Sequence, residues 1–148
     1  IETPYFLPGH YLRKLLCEAA QRGVNVVIIT PIHSDVHVVD IIRRHYLGGL
    51  HQAGVKLFFY TAGNLHAKGI MIDQDVFSIS SANFDYRSFR YQYELALIGK
   101  EKSLIPQLRE HFDSSLKYCT SFDYQSWKKR STVERIIELM LLPFRYLF

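Results

Sequence analysis

The sequence predicts an α/β domain: a mixed, largely parallel sheet with helices on both faces, followed by a helical tail. Three observations carry this. Strand-like and helix-like segments alternate through the first half. The order helix end, glycine, strand start occurs twice, at Ala20-Gln21-Arg22-Gly23-Val24 and at His51-Gln52-Ala53-Gly54-Val55, as in successive βα units that feed a parallel sheet. Residues 24–29 form an almost unbroken β-branched run, the composition of a strand buried on both faces.

Taken in order, residues 1–5 read as a short strand. Pro8 suits a helix start, where its missing N–H costs nothing. Leu12, Leu15, Leu16, Ala19 and Ala20 recur at helical spacing, and Gly23 stops that helix. Pro31 ends the strand of residues 24–29. Ser34 or Asp35 caps a second helix that runs to about Ala53, and residues 55–60 form the next strand. Residues 66–72 and 76–80 read as strands joined by the tight turn Asp73-Gln74-Asp75, and residues 91–98 as another strand. Residues 103–118 present Leu104, Leu108, His111, Phe112 and Leu116 on one side of a helix. A polar, aromatic stretch covers residues 120–130, and Ser131-Thr132-Val133-Glu134 opens a last helix ending near Pro143.

A chain of 148 residues with 48% hydrophobic content has enough apolar surface for one folded core. That content excludes disorder. No apolar run reaches the roughly 18 residues of a spanning helix. Cys17 and Cys119 form no CxxC and fit no zinc spacing, so they read as reduced, buried thiols. The chain begins at Ile1, directly in strand-like sequence, and so reads as a piece of a longer protein.

The chemistry concentrates in His66-Ala67-Lys68-Gly69-Ile70-Met71-Ile72-Asp73. His66 and Lys68 are two apart in a strand and share a face, where unpaired charge is costly. A turn centred between Gln74 and Asp75 sets His66 across from Asn83 and Lys68 across from Ser81. A turn centred on Gln74 shifts this by one residue. Facing side chains in a hairpin lie about 4.5–5.5 Å apart at Cβ. An imidazole, an ammonium, a hydroxyl and a carboxamide then gather at one end of the sheet. Such a set suits a phosphate: lysine supplies charge, serine and asparagine supply donors, and histidine attacks phosphorus or moves protons. No carboxylate cage for magnesium is visible, which favours a metal-free mechanism without a cofactor.

His66-x-Lys68-x-x-x-x-Asp73 followed by Ser80-Ser81-Ala82-Asn83 resembles the HKD motif of the phospholipase D superfamily. Thr3-Pro4-Tyr5-Phe6-Leu7-Pro8, residues 81–89 and Glu94 resemble the second half of bacterial cardiolipin synthases. The resemblance covers essentially the whole chain. One departure is Ser80, where the motif usually has glycine. The resemblance implies a phospholipase D-like domain over residues 1–122 and a basic, aromatic helical tail over residues 123–148. It implies phosphatidyl transfer between two phosphatidylglycerol molecules through a phosphohistidine, giving cardiolipin and glycerol, at a bacterial inner membrane. In that reading His66, Lys68 and Asp73 are the motif's catalytic set. Lys68, Ser81 and Asn83 bind phosphate, and Glu94 orients His66. Arg87 either binds a head group or braces its loop. Asp73, at the turn with the wrong parity for attack, is either structural or a support behind the residues that touch substrate. The chain holds one HKD motif, so its partners are phosphatidylglycerol, an anionic membrane surface and a second motif from an upstream domain or a homodimer mate. Nucleic acid is not an expected partner. The rival readings are a homodimeric phosphodiesterase or nuclease, and a non-catalytic lipid-binding half.

Other features carry less. His33 and His37 are four apart, but no third metal ligand is evident. Arg43, Arg44 and His45 read as a solvated helix face. Trp127, Lys128, Lys129 and Arg130 precede an apolar helix containing Ile136, Ile137 and Met140, a composition that fits a membrane-interface segment.

Overall fold

A computed structural model describes residues 1–148. The helices α1 (His10–Gln21) and α2 (His37–Gln52) flank β1 (Val27–Pro31), and β2 (Lys56–Tyr60) follows. Then come β3 (Gly69–Ile72), β4 (Val76–Ser80), α3 (Tyr86–Arg90), β5 (Ala96–Gly99) and α4 (Ile105–Lys117). β6 (Cys119–Ser121), α5 (Tyr124–Lys128), α6 (Thr132–Leu141) and a 3-10 turn (Leu142–Leu147) complete the chain.

β1 and β2 pair in parallel, with Val27 opposite Lys56 and Pro31 opposite Tyr60, and β6 adds antiparallel to β2. β3, β4 and β5 form an antiparallel meander. Glu2 joins the two groups by bridging Ile29 in parallel and Gly69 antiparallel. Its N–H donates to Gly69 O at 2.8 Å and its carbonyl accepts from Gly69 N at 2.9 Å. The segment read as a first strand thus acts as a short central splint.

The mixed α/β class stands, but the sheet is not largely parallel. Only β1 and β2 are linked by a crossover helix, whereas the tight turn after β3 dictates an antiparallel partner. Several boundaries differ: the strand expected at 24–29 starts only at Val27, and the one expected at 66–72 is confined to Gly69–Ile72, so His66 and Lys68 precede it. Pro31 is the last residue of β1 rather than a break, because a strand end does not require its N–H. α2 starts at His37 after Val36, with no side-chain cap; Ser34 N instead donates to Asp40 Oδ2 at 2.8 Å. Residues 86–90 are helical, and the strand expected at 91–98 is confined to Ala96–Gly99.

Successive residues of β1 face opposite sides. Ile28 points into the larger core with Phe6, Leu7, Val39, Ile42 and Leu50 of the α1/α2 side. Ile29 points into a smaller core with Leu65 and Phe112 of α4. Helices therefore cover both faces, and Ile28 and Ile29 are buried on opposite sides for this reason, whereas Val24 at the start of the β-branched run stays exposed. Arg43 corrects the solvated-face reading: Arg44 and His45 are exposed, but Arg43 is buried. Its guanidinium lies 3.0 Å from Asp40 and donates to Thr30 Oγ1, Pro31 O and Ile32 O. Burial pulls its pKa down to about 10 against the opposing pull of Asp40, so it stays charged. Cys17 and Cys119 are free and half-buried, and burial raises both thiols, Cys119 to about 11.

Candidate active site

The hairpin delivers the site. Asp73 takes the turn with φ 53°, and Gly69 pairs with Ile79 and Ile72 with Val76. The turn is centred on Gln74, the second of the two registers. Ser80 N donates to Lys68 O at 3.0 Å, so Lys68 lies across from Ser80 rather than Ser81. The ladder stops there. Beyond Gly69 on one strand and Ser80 on the other, the pleat no longer sets side-chain direction, and both segments turn towards one open cleft of about 940 Å³. His66, Lys68, Ser81, Asn83 and Glu94 all line it.

Each group has a local support. Lys68 Nζ donates to His66 O at 3.0 Å, tying the two motif residues together. Desolvation lowers the Lys68 pKa, against the opposing fields of Glu94, Asp85 and Asp35. Asn83 N donates to Ser88 Oγ at 3.0 Å, and Ser88 N donates to the buried Asp85 Oδ1 at 2.7 Å, the cap of α3. Thr3 Oγ1 accepts from Phe84 N at 3.3 Å, and Leu7 N donates to Phe84 O at 2.7 Å. The amino-terminal segment thereby clamps the loop that carries Asn83. Asn83 Oδ1 is buried with no protein partner.

Glu94 has a different neighbour from the one assigned. Its carboxylate accepts from Ser81 Oγ, and no hydrogen bond joins it to His66. Leu95 N donates to Ser81 Oγ at 3.0 Å, and Ser81 N donates to Leu95 O at 2.9 Å. These contacts hold Ser81 beside Glu94. Gln92, its amide turned to satisfy both neighbours, donates to Glu94 Oε1 at 3.1 Å and accepts from Arg87 Nε at 3.0 Å. Arg87 therefore braces Glu94 through Gln92 and does not line the cleft. Asp73 sits at the far end of the hairpin, on the order of 17 Å from Lys68 by strand rise; it shapes the turn and is absent from the cleft wall. His33 and His37 belong to no cluster of three or more metal-ligating side chains.

Tyr91, Gln92, Tyr93 and Ile79 also line the cleft and were missed. Reading 91–98 as a strand sent alternate side chains to opposite faces, whereas residues 91–95 form a loop that sets the four consecutive residues Tyr91 to Glu94 along the cleft. Their nearness in sequence to Glu94 was the available signal.

A mixed sheet whose hairpin end presents histidine, lysine, serine and asparagine to one open cleft defines a phospholipase D-type domain. Solved structures agree on the fold. A phosphatidylserine synthase from Haemophilus influenzae matches with a TM-score of 0.76 at 15% identity, over 99% of this chain and 38% of that one. The phospholipase D family member Nuc from Salmonella typhimurium matches with a TM-score of 0.67 at 20% identity, over 82% of this chain and 78% of that one. The family model described as "Cardiolipin synthase, PLD-like domain" matches residues 1–116, and the chain belongs to that family. A cardiolipin synthase of Clostridium perfringens is 36% identical over 95% of this chain, and cardiolipin synthase 1 of Bacillus cereus is 33% identical over 93%. The chain spans 30% and 27% of the lengths of these two relatives.

Proposed function

We propose that this chain is one catalytic half of a phosphatidyltransferase that joins two phosphatidylglycerol molecules into cardiolipin, releasing glycerol. The observation that carries this is the convergence of His66, Lys68, Ser81 and Asn83 on one open cleft, in a chain of the cardiolipin synthase family. A histidine of the paired site attacks the donor phosphorus, so a P–N bond forms and the P–O bond to glycerol breaks. The histidine of the other half gives its proton to the departing glycerol oxygen. It then takes the proton from a hydroxyl of the second phosphatidylglycerol, whose oxygen displaces the phosphohistidine nitrogen. His66 fills one of these two roles. Lys68 offsets charge on the phosphoryl oxygens, and Asn83 offers its carboxamide. Glu94, held by Ser81 and Gln92, places its negative charge near Lys68 and favours the ammonium form against its desolvation. It orients His66 only if substrate binding draws it off Ser81.

One motif makes half a site, so a second HKD half is required, from another domain of the parent protein or from a second copy. The cleft rim suits such a partner: Leu95, Leu97 and Ile98 are exposed around the outer strand β5, which has an unpaired edge. The site works at a membrane, because its substrates are bilayer lipids.

The test is turnover of phosphatidylglycerol by a protein containing this chain and its second half, with cardiolipin and glycerol quantified. Equimolar cardiolipin and glycerol, both lost in His66→Ala, is the expected result. Phosphatidic acid as the main product indicates a hydrolase, cleaved DNA without lipid turnover a nuclease. Full activity in His66→Ala overturns the assignment.

A further inference from the structure

α6 is amphipathic, yet it is mounted with its apolar side outward. Glu138 is 2% exposed and sits on the domain side, where Arg130 Nε lies 3.1 Å from its carboxylate. Glu134, on the same side one turn earlier, pairs with Arg44 of α2 at 3.8 Å. The opposite face repeats at three and four residues: Val133, Ile136, Ile137 and Met140 are 65, 50, 42 and 70% exposed. Phe144 and Leu147, three apart on the following 3-10 turn, are exposed as well. A soluble helix ordinarily buries such a stripe, and a contiguous apolar patch of this kind marks an interaction site.

The surroundings state the chemistry of what covers it. Lys128, Lys129 and Arg135 are exposed and lie outside any ion pair. α1, α2 and the end of α6 belong to one layer over the larger core. In that layer His10, Arg13, Lys14, His45 and Tyr46 line a groove of about 240 Å³ between α1 and α2. Arg13 stacks on Tyr46 at 4.4 Å and has no carboxylate partner. Burial, with Arg13, Arg130 and Arg145 all acting in the same direction, depresses the His45 pKa, so cations from the tail and from the groove converge on one side. An apolar stripe bordered by Lys128, Lys129, Arg135 and Arg13, none with a carboxylate partner, and by Lys14, which pairs with Glu18 at 3.7 Å, is complementary to a surface of acyl chains and anionic head groups.

We infer that the outward face of α6 and its 3-10 extension, flanked by the cationic groove between α1 and α2, docks this chain on an anionic phospholipid bilayer. The docked surface is tied to the cleft. Phe148 O accepts from Arg87 N at 2.7 Å, and Tyr86 packs edge-on against Tyr146 at 4.7 Å. The tail therefore holds α3, the helix that follows Asn83, at a set distance from the lipid surface. This docking is independent of turnover: it concerns where the chain sits, and it holds for a chain that is catalytically silent alone.

The experiment is flotation of the chain with vesicles of equal parts phosphatidylglycerol and phosphatidylcholine, against pure phosphatidylcholine, with thermal melts and ultracentrifugation alongside. The chain should float with the anionic vesicles and at least about tenfold more weakly with neutral ones. Ile136→Glu with Met140→Glu removes two exposed apolar contacts and should cost at least about tenfold in partitioning. Both positions face solvent, so the melt should not move. Lys128→Gln with Lys129→Gln, also on the surface, should erase most of the preference for anionic vesicles. Equal flotation of the double glutamate variant overturns the inference, as does a chain that ignores vesicles altogether. A dimer that the glutamate variant dissolves, with vesicle binding unchanged, overturns it too and makes the stripe a protein interface.

Discussion

Arg43 anchors the end of β1 by spreading one charge over Asp40, a hydroxyl and two carbonyls. Arg43→Ala strands Asp40 in the core and leaves those acceptors unpaired. A loss of about 3–5 kcal/mol should appear in urea denaturation. Arg43→Lys should restore little, since one ammonium cannot match a planar fork with several acceptors. Glu2 makes a pH prediction. Burial raises its carboxyl pKa, more than the opposing pull of His111 and the hydrogen bond from Ser115 lower it. The native state therefore keeps a proton that the unfolded chain has released. That contribution to stability is complete below the ordinary carboxylate range and is lost as pH rises through the raised native value. Urea melts between pH 4 and pH 8, taken as wild type minus Glu2→Gln, should show this falling slope. A difference that rises with pH sinks the argument.

At the scale of elements, α2 and the tail meet through a glycine. A Cβ on Gly48 would lie 2.0 Å from the Trp127 ring, and that ring is pinned by its Nε1 donating to Arg44 O at 2.8 Å and by stacking on Tyr124. Gly48→Ala should therefore destabilise by about 1–3 kcal/mol, despite the roughly 1 kcal/mol that alanine gains in a free helix. Trp127 is the sole tryptophan, so its fluorescence reports the undocking directly. The start of α6 is a capping box, with Ser131 Oγ accepting from Glu134 N at 3.2 Å and Glu134 Oε2 accepting from Ser131 N at 2.8 Å. Ser131→Ala should cost about 1 kcal/mol in a thermal melt. This box was legible as Ser131-x-x-Glu134, because a cap is made by neighbours in sequence. The start of α2 was not: Ser34 is a good cap residue, but its Oγ accepts from Val36 N at 3.3 Å, before the helix, and the helix begins after Val36 uncapped. The hairpin shows the same division. Its strands and turn were readable from alternation and Asp73-Gln74-Asp75, whereas the register depended on Asp73 adopting φ 53°, which neither alternation nor composition encodes.

For the whole molecule, the proposed mechanism means that the chain as a monomer should turn over no phosphatidylglycerol, while adding a second HKD half with its own histidine should restore cardiolipin formation. A mixture of His66→Ala with an intact second half should stay inactive, because each step needs two histidines. Turnover by the isolated chain as a strict monomer would contradict this. The amino-terminal splint matters at this scale as well: Glu2 and Thr3 join the parallel and antiparallel parts of the sheet and clamp the loop that bears Asn83.

Residue types and spacing were enough to name the α/β class, place the strands of the hairpin, bring His66, Lys68, Ser81 and Asn83 to its end, and mark the tail as apolar with basic flanks, while Glu94 came from the family resemblance. Those features rest on contacts between near neighbours in the chain, or on chemistry that few residue combinations supply. Folding in three dimensions decided the rest: that Glu94 meets Ser81, that Arg43 is buried while Arg44 is not, that Asp73 stands away from the cleft, and that α6 turns its apolar face to solvent. Each of these depends on which distant segment arrives at a given face. That outcome is set by the summed packing of the whole core, and no local pattern contains it.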